Sequence, residues 1–275
     1  MKKEAAVAQW ESARLKTGWS GVQVPAAAPA SDGMVKNLAV ALILAGGYGK
    51  RLRPLTDDRP KPLVEVAGRP IIAWQIDWLK YNGIANIVVL AGYHKEKIIE
   101  YLGSGSKLGV SVSYVVEDEP LGTGGAIRNA RLTYSSQDAF VVVNGDIITN
   151  VDVKPLFEAL NSNSDAVAAM ALVQLKSPYG IVEVDGSGRI KAFKEKPVLG
   201  DYWINAGVYV MRPSIVDHLP EKGDVERTTF PRLASEGRLL AVKYTLDKFY
   251  WRSIDTFKDL EEASEELKAL AKATA

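Results

Sequence analysis

From Leu38 onward, short apolar runs rich in Val and Ile alternate with segments whose apolar residues recur at helical spacing. Continuous apolar runs mark strands buried on both faces, and their alternation with amphipathic segments marks β-α units around a largely parallel sheet. The runs predict strands over 39–44, 86–91, 111–116 and 139–143, and the periodicity between them predicts helices over 71–82, 95–102 and 123–133. Gly83 suits the stop of the first helix, because glycine adopts the left-handed conformation that closes a helix C-terminus. The pattern then changes: 166–174, 180–184 and 190–194, with the turn-like Asp185-Gly186-Ser187-Gly188, read as an antiparallel section. Strands over 205–211 and 239–245 follow. A last helix starts near Thr256, where Thr256 and Asp259 match a capping box. No internal repeat or Gly/Ser-rich linker divides the chain. The expectation is α/β: one doubly wound domain over 34–275 with a mostly parallel sheet.

The first 33 residues stand apart. Trp10, Glu11, Ser12, Arg14 and Lys16 interrupt any apolar stretch, so a secretory signal is a poor reading. The string VAQWESARLKTGWSGVQVPAAAPA resembles a transfer-RNA gene translated as coding sequence, and Met34 stands just before the first strand. Residues 1–33 are therefore expected to be a non-native or disordered extension.

Composition narrows the chemistry. Lys plus Arg (34) balance Asp plus Glu (33), so no large positive field draws the chain to nucleic acid or to a membrane surface. No apolar run reaches the roughly 18–20 residues that span a bilayer. Zero cysteines exclude disulfides, thiolate metal sites and thiol catalysis, and agree with a cytoplasmic location. With only two histidines, His94 and His218, far apart in sequence, a histidine-based triad or zinc site is a poor reading. Carboxylates, lysines, arginines and backbone remain. Whether the chain forms a homo-oligomer stays open.

The densest chemistry lies in LAGGYGKRLRPLT, Leu44 to Thr56, followed by RPKPL, Arg59 to Leu63. An apolar strand runs into glycines at 46, 47 and 49, which let main-chain amides approach an anion closely, and then into Lys50, Arg51, Arg53 and Lys61. That order predicts a phosphate cradle. It has neither the GxxxxGK[ST] spacing of a P-loop nor GxGxxG, so ATPase and nicotinamide chemistry fit poorly. A tight turn with a solvated basic edge would explain the glycines but not the cations that follow.

These stretches resemble the signature of the sugar-1-phosphate nucleotidylyltransferases. The similarity continues through EPLGTGGA (Glu119 to Ala126), NGD (Asn144 to Asp146), YGIVEVD (Tyr179 to Asp185), EKP (Glu195 to Pro197) and NAGVYV (Asn205 to Val210). The wording of EPLGTGGA is closer to mannose- or heptose-1-phosphate guanylyltransferases than to thymidylyltransferases. The resemblance implies a GT-A-like nucleotide-binding fold whose antiparallel section binds sugar, a requirement for Mg²⁺, and direct displacement without a covalent enzyme intermediate. It implies nucleotide contacts from Leu44, Ala45, Gly46, Gly47, Gly49, Lys50, Arg51, Gly122 and Thr123. Arg51 and Lys61 would grip the triphosphate, Lys61 reaching the sugar phosphate as well. Lys196 would hold that sugar phosphate and Glu195 the sugar hydroxyls, with Gly180 and Asn205 lining the sugar pocket. Asp146, expected at a strand end after a glycine, would bind Mg²⁺, a hard cation that needs oxygen ligands and keeps several waters.

Two positions depart from the common pattern. Relatives using uridine or thymidine nucleotides commonly carry Gln where this chain has Glu117. A carboxylate only accepts, so Glu117, or the neighbouring Asp118 or Glu119, could take both adjacent N–H donors of guanine, which favours GTP, with mannose 1-phosphate as the favoured partner. The family's WxDxGT reads here Trp251-Arg252-Ser253-Ile254-Asp255-Thr256, so Ser253 stands at the usual metal position. Asp255 either supplies the missing metal ligand or caps the last helix. Three rivals remain: a glucose-1-phosphate uridylyl- or thymidylyltransferase, a non-catalytic nucleotide-sugar-binding regulatory subunit, and a glycosyltransferase on a similar fold.

Overall fold

The computed structural model describes residues 39–273, so the extension expected over 1–33 lies outside the described residues. In chain order the elements are β1 (Val40–Ala45), β2 (Glu65–Val66), β3 (Arg69–Pro70), α1 (Ile71–Tyr81), β4 (Asn86–Ala91), α2 (Lys95–Leu102), β5 (Ser111–Val116), α3 (Gly122–Asn129) and α4 (Arg131–Tyr134). There follow β6 (Phe140–Asn144), β7 (Ile147–Thr149), α5 (Lys154–Asn161), β8 (Ala168–Lys176), β9 (Ile181–Val184), β10 (Ile190–Lys194) and β11 (Val198–Met211). The last are α6 (Thr229–Ser235), β12 (Leu239–Tyr244), β13 (Trp251–Ser253) and α7 (Phe257–Ala273).

A seven-stranded sheet in the order β12-β8-β11-β6-β1-β4-β5 forms the centre. Its pairs are parallel except where β11 runs antiparallel to both β6 and β8. The apolar run of β1 has no polar face because both sides of the sheet are covered. Ala41, Ile43 and Ala45 pack into a cluster with Ile72 and Ile76 of α1, Ile98 of α2 and Leu156 of α5. Val40 and Leu42 face the opposite cluster, with Ala126 and Ile127 of α3 and Phe230 and Leu233 of α6. Leu42 and Ile43 are fully buried, and burying a side chain of that size is worth about 1.5–3 kcal/mol. This is the doubly wound arrangement the alternation predicts.

The chain leaves β1 toward β4 and β5, then returns to place β6 on the other side of β1. Such a reversal opens a crevice at the carboxyl ends of the two strands, where open α/β sheets bind ligands. Leu44–Gly47 and Asn144–Asp146 face one another there.

Several details differ from the pattern-based expectation. The predicted helix over 123–133 breaks at Ala130 into α3 and α4. β11 starts seven positions before the expected 205, with Val198 paired to Lys176, and its register shifts between Leu199 and Trp203 and again between Asn205 and Tyr209. Asp146 does not end a strand: β6 stops at Asn144, and Asp146 lies in the turn into β7. The short strands β7 and β13 pair antiparallel as a separate two-stranded sheet. Among the described residues no helix is long and apolar enough to cross a membrane.

Candidate active site

The turn carrying Asp146 is built tightly. Gln75 of α1, 1% exposed, donates through Nε2 to the carbonyls of Asn144 (2.8 Å) and Ile147 (3.0 Å), pinning both ends of the turn. The Gly145 amide donates to the Leu44 carbonyl at 3.0 Å. A β-carbon at Gly145 would overlap that oxygen, so the approach of β6 to β1 at this point requires glycine.

The β7–β13 ladder brings the second carboxylate in. Ser253 pairs with Ile147, and the Ile254 amide donates to the Asp146 carbonyl at 2.9 Å, which sets Asp255 beside Asp146. The Lys61 ammonium lies between them, donating to Asp146 Oδ2 at 2.7 Å and to Asp255 Oδ1 at 2.9 Å. Arg51 Nη2 donates to the same Asp255 oxygen at 2.7 Å. Ser253, at the position where the resemblance leads one to expect an acid, donates its hydroxyl to Asp255 Oδ2 at 2.6 Å. Burial pushes the Asp255 carboxyl up, but the Ser253 hydroxyl, Lys61 and Arg51 outweigh it and hold the group below its ordinary value.

Asp255 does not cap the last helix. Asp259 does so, accepting the amides of Asp255 (3.2 Å) and Thr256 (2.8 Å), while the Asp259 amide reaches the Thr256 hydroxyl at 3.3 Å. This is the predicted capping box. Arg252 ties β13 to the same helix, donating to Glu262 at 2.9 Å and to both oxygens of Glu266 at 2.9 and 2.6 Å.

Next to this charged cluster lies a cavity of about 300 Å³. Of the residues expected to bind nucleotide, Leu44, Ala45, Gly46, Gly47, Glu117, Gly122 and Thr123 line it, together with Lys61 and Asp146. Glu117 is 9% exposed. Its Oε2 accepts the Leu121 amide at 3.1 Å, and burial raises its carboxyl above the ordinary value against the opposing effect of that hydrogen bond. Gly49 lies outside the lining and shapes the turn at φ 60. Lys50 is exposed, with its ammonium 5.5 Å from the Tyr48 ring centroid. Arg51 joins the site through Asp255.

Of the residues expected to bind sugar phosphate, Lys61 lines this cavity, and Gly180, Glu195, Lys196 and Asn205 are not among its lining residues. Gly180 sits against Phe193 and Glu195: a β-carbon there would come 2.6 Å from Phe193 Cζ and 3.0 Å from Glu195 Oε2. Lys196 holds φ 43, a left-handed conformation that few side chains adopt. Asn205 donates to the Tyr209 hydroxyl at 2.7 Å and accepts the Gly207 amide at 2.9 Å. Sequence reasoning missed Gln75, which looks like any polar residue on an amphipathic helix, and Asp224, which lines the cavity from a loop that carries no motif.

The family described as nucleotidyl transferase matches residues 40–269. The chain is 39% identical over 226 residues to a mannose-1-phosphate guanyltransferase of Yarrowia lipolytica, covering 79% of this chain and 61% of that protein. It is 35% identical over 234 residues to a mannose-1-phosphate guanylyltransferase of Mycobacterium tuberculosis, covering 82% and 64% respectively. It thus spans less than two thirds of the length of these curated relatives. Among solved structures, HddC from Yersinia pseudotuberculosis complexed with GMP-PN is similar at 30% identity with a TM-score of 0.65, covering 83% of this chain and 99% of that one.

Proposed function

The chain belongs to the nucleotidyl transferase family, and on that premise we propose that it joins a sugar 1-phosphate to a nucleoside triphosphate, forming a nucleotide sugar and pyrophosphate. One observation carries the reading. Lys61 and Arg51 converge with Asp146 and Asp255 at one point, beside a cavity framed by the carboxyl ends of β1 and β6. In the proposed reaction a phosphate oxygen of the sugar 1-phosphate attacks the α-phosphorus. The bond from that phosphorus to the bridging oxygen breaks, and pyrophosphate leaves with the bond's electron pair. Such a step needs positioning and charge neutralisation more than a proton-transfer residue. Arg51 and Lys61 are assigned to the triphosphate, and Lys61, Lys196, Glu195, Gly180 and Asn205 to the sugar phosphate.

Asp146 and Asp255 fit a divalent cation: the two carboxylates converge on one ammonium, and oxygen donors suit Mg²⁺. When bound, Mg²⁺ would supply neutralisation of phosphate charge. The non-catalytic reading rested on Ser253, and the arrival of Asp255 beside Lys61 weighs against it.

For the base we favour guanine. Glu117 presents an acceptor in the cavity, the two relatives named above are called mannose-1-phosphate guanyl- or guanylyltransferases, and HddC is complexed with GMP-PN. The same names favour mannose 1-phosphate. The test is pyrophosphate release over a matrix of GTP, ATP, UTP, dTTP and CTP against mannose, glucose and heptose 1-phosphates with Mg²⁺. Turnover of GTP with mannose 1-phosphate above all other pairs is expected. A preference for UTP or dTTP with glucose 1-phosphate would replace this assignment with the uridylyl- or thymidylyltransferase rival.

A further inference from the structure

Two carboxylates approach consecutive residues, Leu121 and Gly122, at the start of α3. Glu117 Oε2 accepts the Leu121 amide at 3.1 Å, while its Oε1 lies against Gly46, where a β-carbon would come within 3.2 Å of it. One residue further, Asp224 lies against Gly122, where a β-carbon would come 2.9 Å from Oδ1. Adjacent α-carbons are about 3.8 Å apart, so the two acids address neighbouring steps of one backbone. Both line the cavity.

Asp224 is carried there by a loop fastened to α3. The Gly223 carbonyl accepts the amides of Gly124 (2.9 Å) and Gly125 (3.2 Å), and the Gly223 amide donates to the Leu121 carbonyl at 2.7 Å. Thr123 closes the junction, donating its hydroxyl to Glu226 at 2.7 Å and accepting the Val225 amide at 2.9 Å. The carboxylate itself is loosely engaged. Its cationic neighbour Arg227 stands 3.9 Å away and is 86% exposed, beyond hydrogen-bond distance.

The Watson–Crick edge of guanine offers two donors side by side, N1–H and the 2-amino group. Glu117 has one oxygen tethered to Leu121, which leaves one directed acceptor for two donors. Resting on the guanylyl reading above, we infer that Asp224 is a specificity-determining residue that accepts the 2-amino group of guanine, with Glu117 taking N1–H. Uracil and thymine place a carbonyl on each side of their single ring N–H, so one would meet Asp224 and be repelled.

Inosine triphosphate keeps N1–H and lacks only the 2-amino group. The experiment compares kcat/KM for GTP and ITP, with mannose 1-phosphate and Mg²⁺, in the wild type, Asp224→Ala and Glu117→Ala. The expected wild-type preference for GTP is about 10–100-fold, the worth of one hydrogen bond to a charged acceptor. Asp224→Ala should bring the ratio near unity by losing GTP turnover alone, whereas Glu117→Ala should slow both substrates and keep a preference. Because each ratio is taken within one protein, partial unfolding of a variant does not disturb it. A wild type that uses GTP and ITP equally, or an Asp224→Ala variant that keeps the wild-type ratio, overturns the inference. A wild type that ignores both but turns over UTP or dTTP overturns instead the guanylyl reading on which it rests.

Discussion

Replacing Lys61 by Gln removes the cation that two acids share. Lys61 is 14% exposed on its side chain, and its carboxylate partners 27% and 28%. The two accepting oxygens stand 2.7 and 2.9 Å from one nitrogen. They are therefore at most about 6 Å apart, and without the ammonium their repulsion is about 1–3 kcal/mol for effective dielectric constants between about 80 and 20. Taking about 2 kcal/mol, the melting temperature of Lys61→Gln should fall by about 4–8 °C without metal, at about 2–4 °C per kcal/mol for a domain of this size. Millimolar Mg²⁺ should recover most of that loss while moving the wild type little, because in the wild type the ammonium already occupies the place between the acids. Adding Asp255→Asn to Lys61→Gln should restore stability without Mg²⁺, as one of the two facing charges is gone. Activity should fall about 10²–10³-fold, the usual loss when one group that neutralises developing charge is removed. The assay is thermal unfolding with and without Mg²⁺ beside pyrophosphate release. A Lys61→Gln protein as stable as the wild type and indifferent to Mg²⁺ would refute the shared-cation geometry.

Gly145→Ala should unfold the protein more easily by about 2 kcal/mol or more and abolish turnover, since the new methyl group meets the Leu44 carbonyl and displaces the Asp146 turn; a wild-type urea midpoint would contradict this. Arg252→Ala strips Glu262 and Glu266 of their shared partner and should cost about 2 kcal/mol, discounted from a fully buried pair because both acids are partly exposed; chemical denaturation reads it directly. Burial raises the Glu117 carboxyl, so the folded chain binds that proton more tightly than the unfolded chain. The stability linked to it is full below the ordinary carboxylate pKa and is lost as pH rises through the folded value. Glu117→Gln should therefore raise the melting temperature at neutral pH and flatten its decline just above the carboxylate range; a lower melting temperature at pH 7 would count against the buried charge.

The parts of the fold legible in the sequence are those whose signal is local. β4 and β5 occupy the expected 86–91 and 111–116, and α2 the expected 95–102, because each is a single run of one period. The Thr256–Asp259 cap was equally readable, since its two partners lie three residues apart. The rest depends on distant pairings. β7 and β13 are three residues each, too short to show a period, yet their ladder is what sets Asp255 beside Asp146. The sequence left Asp255 between two roles, and the direction of its side chain, toward Lys61 and Arg51, excludes the capping one. Asp224 reaches the cavity through hydrogen bonds spanning about a hundred positions of chain, and Gln75 acts on a turn far along the sequence. Neither leaves a mark in the pattern around it.

Single-turnover formation of nucleotide sugar from GTP and mannose 1-phosphate with saturating Mg²⁺, in the wild type and in Asp146→Asn, tests whether this carboxylate takes part in the reaction. Rapid product formation is expected in the first and a loss of at least about 10³-fold in the second, with the variant still folded. A near-normal rate in Asp146→Asn would remove this carboxylate, and the convergence built around it, from the reaction.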